Sequence, residues 1–194
     1  MFNLNLILLT SAMLATLPYS AMADDVDAST PTVDPNTCVV EIEPVDKQYV
    51  QQQVMPIPDQ EANHDIRLGE TTQSMKDTEL CTGDHIVKKN AYFMQDAHGL
   101  NGEGTGYSVF ITDKGDQIIF KTSSIAKFKD GEEPMSVKET NGYMISGTGP
   151  YENVTGTYKS TSEDNRFKNT TRTIKQTLTL KFPPETKAKL QVNN

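Results

Sequence analysis

Tryptophan is absent from the 194-residue chain, and aromatic residues make up only 7% of it. This scarcity disfavours an extended aromatic platform of the kind that stacks against carbohydrates. Positive charge is also scarce, because 18 Lys and Arg stand against 26 Asp and Glu and leave a net charge of −8. Such a balance disfavours nucleic acid and an anionic membrane surface as partners.

Long apolar runs are missing except for one at the start, from Leu4 to Leu17. A membrane-spanning helix needs about 20 apolar residues, so this run is too short to span a bilayer. It is followed by the triplet Ala21-Met22-Ala23, which resembles a signal-peptidase site. The pattern predicts a cleaved signal peptide at 1–23, a secreted or periplasmic protein, and no membrane span in the mature chain. No Lys or Arg precedes the run, which leaves an uncleaved amphipathic anchor as the alternative.

The chain has only two cysteines, Cys38 and Cys81. In an oxidising compartment such a pair predicts one disulfide, which would stabilise the fold by about 3–4 kcal/mol in the chain-entropy model. The alternative is a reactive thiol, which needs a neighbouring base or a helix N-terminus to lower its pKa.

Motifs for metal or cofactor chemistry are also absent. His64, His85 and His98 do not fall at ligand spacing such as HExxH, so no metal site and no cofactor are expected. No nucleophile–base arrangement stands out, and the catalytic residues, if there are any, are unknown. Asp113 and Asp116 flank a turn, where we expect them to accept backbone hydrogen bonds rather than to act in catalysis.

The remaining sequence predicts a single domain with polar ends. Residues 24–37 are acidic and contain proline, which is typical of a flexible leader. The domain is expected over 38–183, and 184–194 form a polar tail. Strands are predicted at 38–43, 86–94, 135–139, 142–147, 154–161 and 171–182. Residues 44–80, with three prolines and a Gln-rich patch, are expected to be mostly loop.

The clearest local pattern is a hairpin around the turn at 113–116. Both flanking segments, 107–112 and 117–122, alternate in polarity, which is typical of half-buried strands. With Lys114-Gly115 as a two-residue loop, Ile111 would face Ile118 and Val109 would face Phe120. The interior, ligand-binding face is therefore predicted to comprise Tyr107, Val109, Ile111, Ile118 and Phe120. Phe110 and Ile119 would then lie on the other side.

The last strand has the same two-faced character. Ile174, Gln176, Leu178, Leu180 and Phe182 alternate with Thr and Lys residues. This pattern predicts one buried and one solvent-facing side. Several short strands separated by Gly and Pro turns favour a mostly β domain, either a barrel or a sandwich.

Two glycine-rich segments flank the second half of this pattern in order. Gly102-Glu103-Gly104-Thr105-Gly106-Tyr107 precedes the hairpin, and Ser146-Gly147-Thr148-Gly149-Pro150-Tyr151 leads into Gly156-Thr157-Tyr158. Over Gly102 to Tyr158 the chain resembles the allene oxide cyclase-like barrel group, which includes the plant dirigent proteins. It departs from that pattern at Ser146 and Pro150.

The resemblance implies a small, calycin-type antiparallel barrel of eight strands, with a β-sandwich as the alternative. Members of the group are commonly oligomers, and some bind or reshape apolar small molecules. We therefore expect an exported, non-catalytic barrel that binds an apolar small molecule or a protein partner, and a homo-oligomer stays open. The alternatives are a cyclase- or dirigent-like enzyme, for which Glu103 and Arg67 are the groups to test, and a structural envelope protein.

Overall fold

A computed structural model describes residues 34–58, 63–129, 135–165 and 170–184. Nine strands follow one another in chain order: β1 Thr37–Ile42, β2 Gln48–Pro56, β3 His64–Glu79, β4 His85–His98, β5 Asn101–Thr112, β6 Gln117–Lys129, β7 Met135–Gly147, β8 Thr155–Asn165 and β9 Thr170–Lys181. A short 3-10 turn, Gly149–Tyr151, separates β7 from β8. The expected signal peptide, residues 24–33 of the leader and residues 185–194 of the tail lie outside the described residues.

All nine strands are antiparallel and form one sheet in the order β1-β9-β8-β7-β6-β5-β4-β3-β2. The mostly β prediction is therefore confirmed, and the ladders form one sheet rather than the two of a sandwich. The expectation that residues 44–80 are mostly loop is wrong, because they contain β2 and the 16-residue β3. The prolines in this segment indicated a loop, but β2 is an edge strand, where a missing backbone N–H is tolerated. The separate predictions at 135–139 and 142–147 are halves of one strand, β7.

The sheet curls, but its ladders do not close into the expected eight-stranded barrel. Its two ends approach at the residues after β1, where the Val45 N–H donates to the Ser74 carbonyl at 2.9 Å and the Lys76 N–H donates to the Glu43 carbonyl at 2.9 Å. The only bridge between these segments in the described part is Pro44–Met75. Proline has no N–H to donate, and the pairing does not extend into a ladder.

The predicted disulfide is confirmed and joins the same two regions. Cys38 of β1 is bonded to Cys81 of the loop after β3, with a Cα–Cα distance of 5.9 Å. The bond crosslinks one end of the sheet to the neighbourhood of the other. Among the described residues, no helix is long and apolar enough to cross a membrane.

The hairpin exists, but its predicted register is wrong by one residue. The Thr112 N–H donates to the Asp116 carbonyl at 2.9 Å, so three residues, Asp113 to Gly115, form the loop rather than two. Gly115 takes a φ of 86°, which glycine adopts without steric cost. Phe110 therefore pairs with Ile118 and Val109 with Ile119. The slip turns β5 over relative to the expectation, since neighbouring residues of a strand face opposite sides.

An apolar core fills the inner face at the end of the sheet near this turn. Phe110, Phe120 and Tyr158 form its centre, with the Phe110 and Phe120 rings edge to face at 5.8 Å between centroids. The core is completed by Cys38, Ile42, Met75, Leu80, Ile86, Ile118, Tyr151, Val154, Leu178, Leu180 and Phe182. The inward face predicted for β9 is confirmed at Gln176, Leu178, Leu180 and Phe182.

A buried carboxylate anchors the turn to the core. Asp84 is 1% exposed and accepts hydrogen bonds from the Tyr151 hydroxyl at 2.8 Å and from the Lys114 ammonium. Asp113 accepts the His85 backbone N–H at 3.1 Å, as expected for an acidic turn residue. The β5–β6 turn is thus held by side chains distant in sequence.

Candidate functional site

Beyond the core, the inner face of the sheet changes from apolar to polar and encloses a cavity of about 460 Å3. The change occurs at the inward positions of β5 to β8, which carry Ser and Thr in place of aromatic and aliphatic side chains. Its lining comprises Lys47, Tyr49, Gln52, Arg67, Thr71, Gln73, Lys89, Ala91, Tyr92, Phe93, Gln95, Thr105, Tyr107, Ser108, Thr122, Ser124, Ala126, Ser136, Lys138, Thr140, Tyr158, Ser160 and Ser162. Apart from Ala91, Phe93 and Ala126, each of these residues carries a polar side-chain group.

Lys89 of β4 lies where the cavity meets the core and is 8% exposed. Its ammonium donates to the Tyr158 hydroxyl at 2.7 Å and to Gln176 Oε1 at 3.0 Å. It also lies 4.9 Å from the Tyr158 ring centroid and 5.6 Å from that of Phe110. These partners are all neutral. Burial, and after it the nearby charge of Lys47, therefore lower the pKa of Lys89 from 10.5 to about 7.

Three further cations line the same cavity. The Arg67 guanidinium donates to both carboxylate oxygens of Asp65, its neighbour two positions earlier in β3. Lys47 lies 5.1 Å from the Tyr49 ring centroid, and Lys138 lies 5.5 Å from the Phe93 ring centroid. None of the described lining residues is Asp or Glu. The described lining thus contains cations and no acidic residue, although Asp65 beside it balances the charge of Arg67, in a chain whose net charge is −8.

Phe93 forms one wall of the cavity between two glycines. It pairs with Gly69 on β3 and with Gly106 on β5. A Cβ at Gly69 would lie 2.4 Å from the end of the Phe93 ring, and one at Gly106 would lie 2.0 Å from the Tyr92 carbonyl oxygen. Only glycine allows the ring and the strands to approach this closely.

Two buried amide atoms near the cavity are unsatisfied. Gln73 Oε1 and Gln176 Nε2 are buried and have no hydrogen-bond partner among the residues that the structure describes. An unmade hydrogen bond of a buried polar atom costs about 1–3 kcal/mol. Gln73 lines the cavity, and Gln176 accepts the Tyr158 hydroxyl through its oxygen at 2.7 Å. A polar ligand that supplies a donor to Gln73 Oε1 would recover part of this cost.

The structure separates the five residues that were predicted to bind a ligand. Tyr107 borders the cavity, but it is 45% exposed and lies on the same face of β5 as Val109. Ile118 and Phe120 are fully buried in the apolar core. Val109 and Ile111 lie on the opposite face of β5 from the buried Phe110, as a result of the register slip. The five therefore do not form one surface.

The groups considered for an enzyme also separate. Arg67 lines the cavity, whereas Glu103 is exposed on the other face of β5 and lies outside it. Phe110, expected on the side opposite the predicted interior face, is instead fully buried in the core. Sequence reasoning missed Lys89, because the run Val87-Lys88-Lys89 looks like an ordinary solvated strand. The available signal was the Ser and Thr alternation on β6 to β8, which shows that the inner face is not uniformly apolar.

A second, more open groove of about 550 Å3 lies partly on the outer face, next to Gln51 to Gln53, Leu68 and Met94. It adjoins both a cation, Lys121, and an anion, Glu70. The inner cavity is the stronger candidate because it contains a buried ionisable group with a shifted pKa. Comparison with protein-family models, with curated proteins and with solved structures finds no match to this chain.

Proposed function

We propose that this protein binds a small polar anion, bearing a carboxylate, sulfate or phosphate group, in its inner cavity. One observation carries the proposal: the cavity holds Lys89, Lys47, Arg67 and Lys138 and no acidic residue among its described lining. A volume of about 460 Å3 lies within the range of small-molecule sites. This lining supports a polar ligand rather than the apolar one expected from the sequence.

Lys89 is the residue whose charged form a bound anion would stabilise most. Its charged form is destabilised because the ammonium is buried among neutral partners. An anion in the cavity would supply the missing opposite charge and raise the pKa of Lys89 again. Ser and Thr hydroxyls on β5 to β8 would donate the further hydrogen bonds that orient the ligand.

The setting of this site is also part of the proposal. We propose an exported, non-catalytic carrier in which the Cys38–Cys81 bond and the bridge at Pro44–Met75 hold the curled sheet in the shape of a small barrel. The disulfide supports an oxidising compartment. The likeness to the allene oxide cyclase-like group supports a barrel with an interior site, and the polar interior argues against transferring that group's apolar ligands.

The test is calorimetric titration of the protein with acetate and inorganic sulfate, whose charges do not change between the two conditions, at pH 6 and pH 9. We expect binding to weaken at the higher pH, because Lys89 loses its proton above a pKa of about 7. Lys89→Met should lower the affinity by about tenfold or more, as is usual for a charge-assisted hydrogen bond worth about 1.5–3 kcal/mol. Glucose and decanol serve as neutral polar and apolar ligands.

Lys159→Met is the matched control, since Lys159 is exposed on β8 and the substitution changes the net charge equally. It should leave the affinity unchanged. An equal loss in both variants would show a diffuse charge effect and refute the site. Tight decanol binding that is independent of pH would restore the apolar-ligand expectation. Native mass spectrometry of the protein isolated from its host would then identify any retained ligand by its mass.

A further inference from the structure

Three metal-binding side chains meet at the ends of β3 and β4, away from the inner cavity. His64 begins β3, His98 ends β4, and the two are directly opposite each other in the ladder. Asp96 precedes His98 by two positions and therefore lies on the same face of β4. The antiparallel register thus brings together two histidines that the sequence keeps far apart.

Their geometry places three ligand atoms around one point. The Nε2 atoms of His64 and His98 lie 2.9 Å and 3.2 Å from the same oxygen, Oδ1 of Asp96. The two imidazole rings stack at 3.9 Å between centroids. One ligand atom from each of the three residues lies within 4.8 Å of the others. Ligands in a tetrahedral zinc site, about 2.0 Å from the ion, are about 3.3 Å apart, so only a small displacement separates this cluster from a coordination site.

The burial of the three side chains suits a metal site with open positions. The His64 side chain is 14% exposed and is held in place, whereas those of Asp96 and His98 are 52% and 43% exposed and leave a path for an ion. On the side of β4 away from β3, Asp96 pairs with Glu103 of β5. Asp96, His98 and Glu103 border a pocket of about 480 Å3 that would hold the remaining water or carboxylate ligands.

We propose that His64, Asp96 and His98 bind a divalent first-row transition ion of the zinc class. Two imidazole nitrogens select against Ca2+ and Mg2+, which prefer oxygen ligands, and favour Zn2+, Co2+, Ni2+ or Cu2+. The site rests on a different part of the molecule from the anion cavity. The metal-site proposal and the anion-binding proposal can therefore be confirmed or refuted independently.

The experiment is a titration of the full chain, produced without a polyhistidine tag and dialysed against EDTA. Co2+ is added and its visible absorption recorded, and Zn2+ binding is measured by calorimetry. We expect one equivalent of Co2+ to bind, with a visible absorption spectrum typical of a Co2+ ion that has a low coordination number. His98→Ala and Asp96→Asn should each weaken binding by about tenfold or more. Both positions are exposed, so the variants should fold.

His85→Ala is the matched control. His85 Nδ1 also contacts a carboxylate, Oδ1 of Asp77 at 2.5 Å, but the three-residue cluster contains only His64, Asp96 and His98. This variant should bind the ion with the affinity of the wild type, and Zn2+ should raise its Tm as it raises that of the wild type. The proposal is overturned if the wild type binds no ion, or if His98→Ala and Asp96→Asn bind it as tightly as His85→Ala does.

Discussion

Replacing Lys89 by Met should stabilise the ligand-free protein at acidic and neutral pH. The pKa of Lys89 falls from 10.5 to about 7 on folding, a difference of 3.5 pH units. At about 1.4 kcal/mol per unit, the protonated side chain costs the folded state about 5 kcal/mol. Met removes this cost but also loses the hydrogen bonds to Tyr158 and Gln176, worth about 1 kcal/mol each. The expected gain at pH 6 is therefore about 3 kcal/mol.

The pH dependence identifies the cause of this gain. Between pH 7 and pH 10.5 the unfolded chain holds a proton at Lys89 that the folded chain has released, so the stability of the wild type rises with pH in this window. Below pH 7 both states are protonated and the full cost is present. From pH 6 to pH 9 the wild type should therefore gain about 3 kcal/mol relative to Lys89→Met. The advantage of the variant should disappear near pH 9.

The assay is urea unfolding at pH 6, 7, 8 and 9, followed by far-ultraviolet circular dichroism or tyrosine fluorescence, since the chain contains seven Tyr and no Trp. At each pH, the free energy of unfolding of the wild type is subtracted from that of Lys89→Met. This difference cancels the contribution of every other titrating group. Lys159→Met should follow the wild type at each pH. If Lys89→Met is destabilised at pH 6, or if its difference from the wild type does not change with pH, Lys89 is not a buried cation without a counter-charge.

Two further predictions concern residues at the apolar core. Replacing both Cys38 and Cys81 by Ala should lower the free energy of unfolding by about 4 kcal/mol in the chain-entropy model, because the disulfide closes a loop of 43 residues. A loss below 1 kcal/mol in urea unfolding would show that the ends of the curled sheet stay together without the disulfide. Burial by itself would raise the pKa of Asp84, but hydrogen bonds from Lys114, Tyr151 and Thr82 lower it below 3.8. Asp84 thus contributes stability above pH 3.8 that is lost as the pH falls through the lowered pKa. Asp84→Asn should destabilise the protein at pH 7 by about 3 kcal/mol and by less at pH 3, and an equal loss at both pH values in thermal unfolding would contradict this role of the charge.

Local alternation predicted the strands well where each strand has one buried face. β9 is the clearest case, because Gln176, Leu178 and Leu180 face inward as expected. The hairpin was located correctly, but its loop length was not, since Thr112 pairs with Asp116 and the loop has three residues instead of two. A change of loop length alters the register by whole residues, and nothing in the alternation of β5 distinguishes Val109 from Phe110 as the inward side chain.

The amino-acid sequence was sufficient to predict the mostly β class, the pairing of its only two cysteines and the negative overall charge. These follow from composition and from the two-residue period of a strand, both of which act locally. The burial of Lys89 next to Phe110 and the pairing of His64 with His98 across a ladder could not be predicted without the arrangement of the strands in space. Burial and ligand geometry depend on which strands are neighbours and on how the sheet curls, and both arise from pairings between residues far apart in the chain.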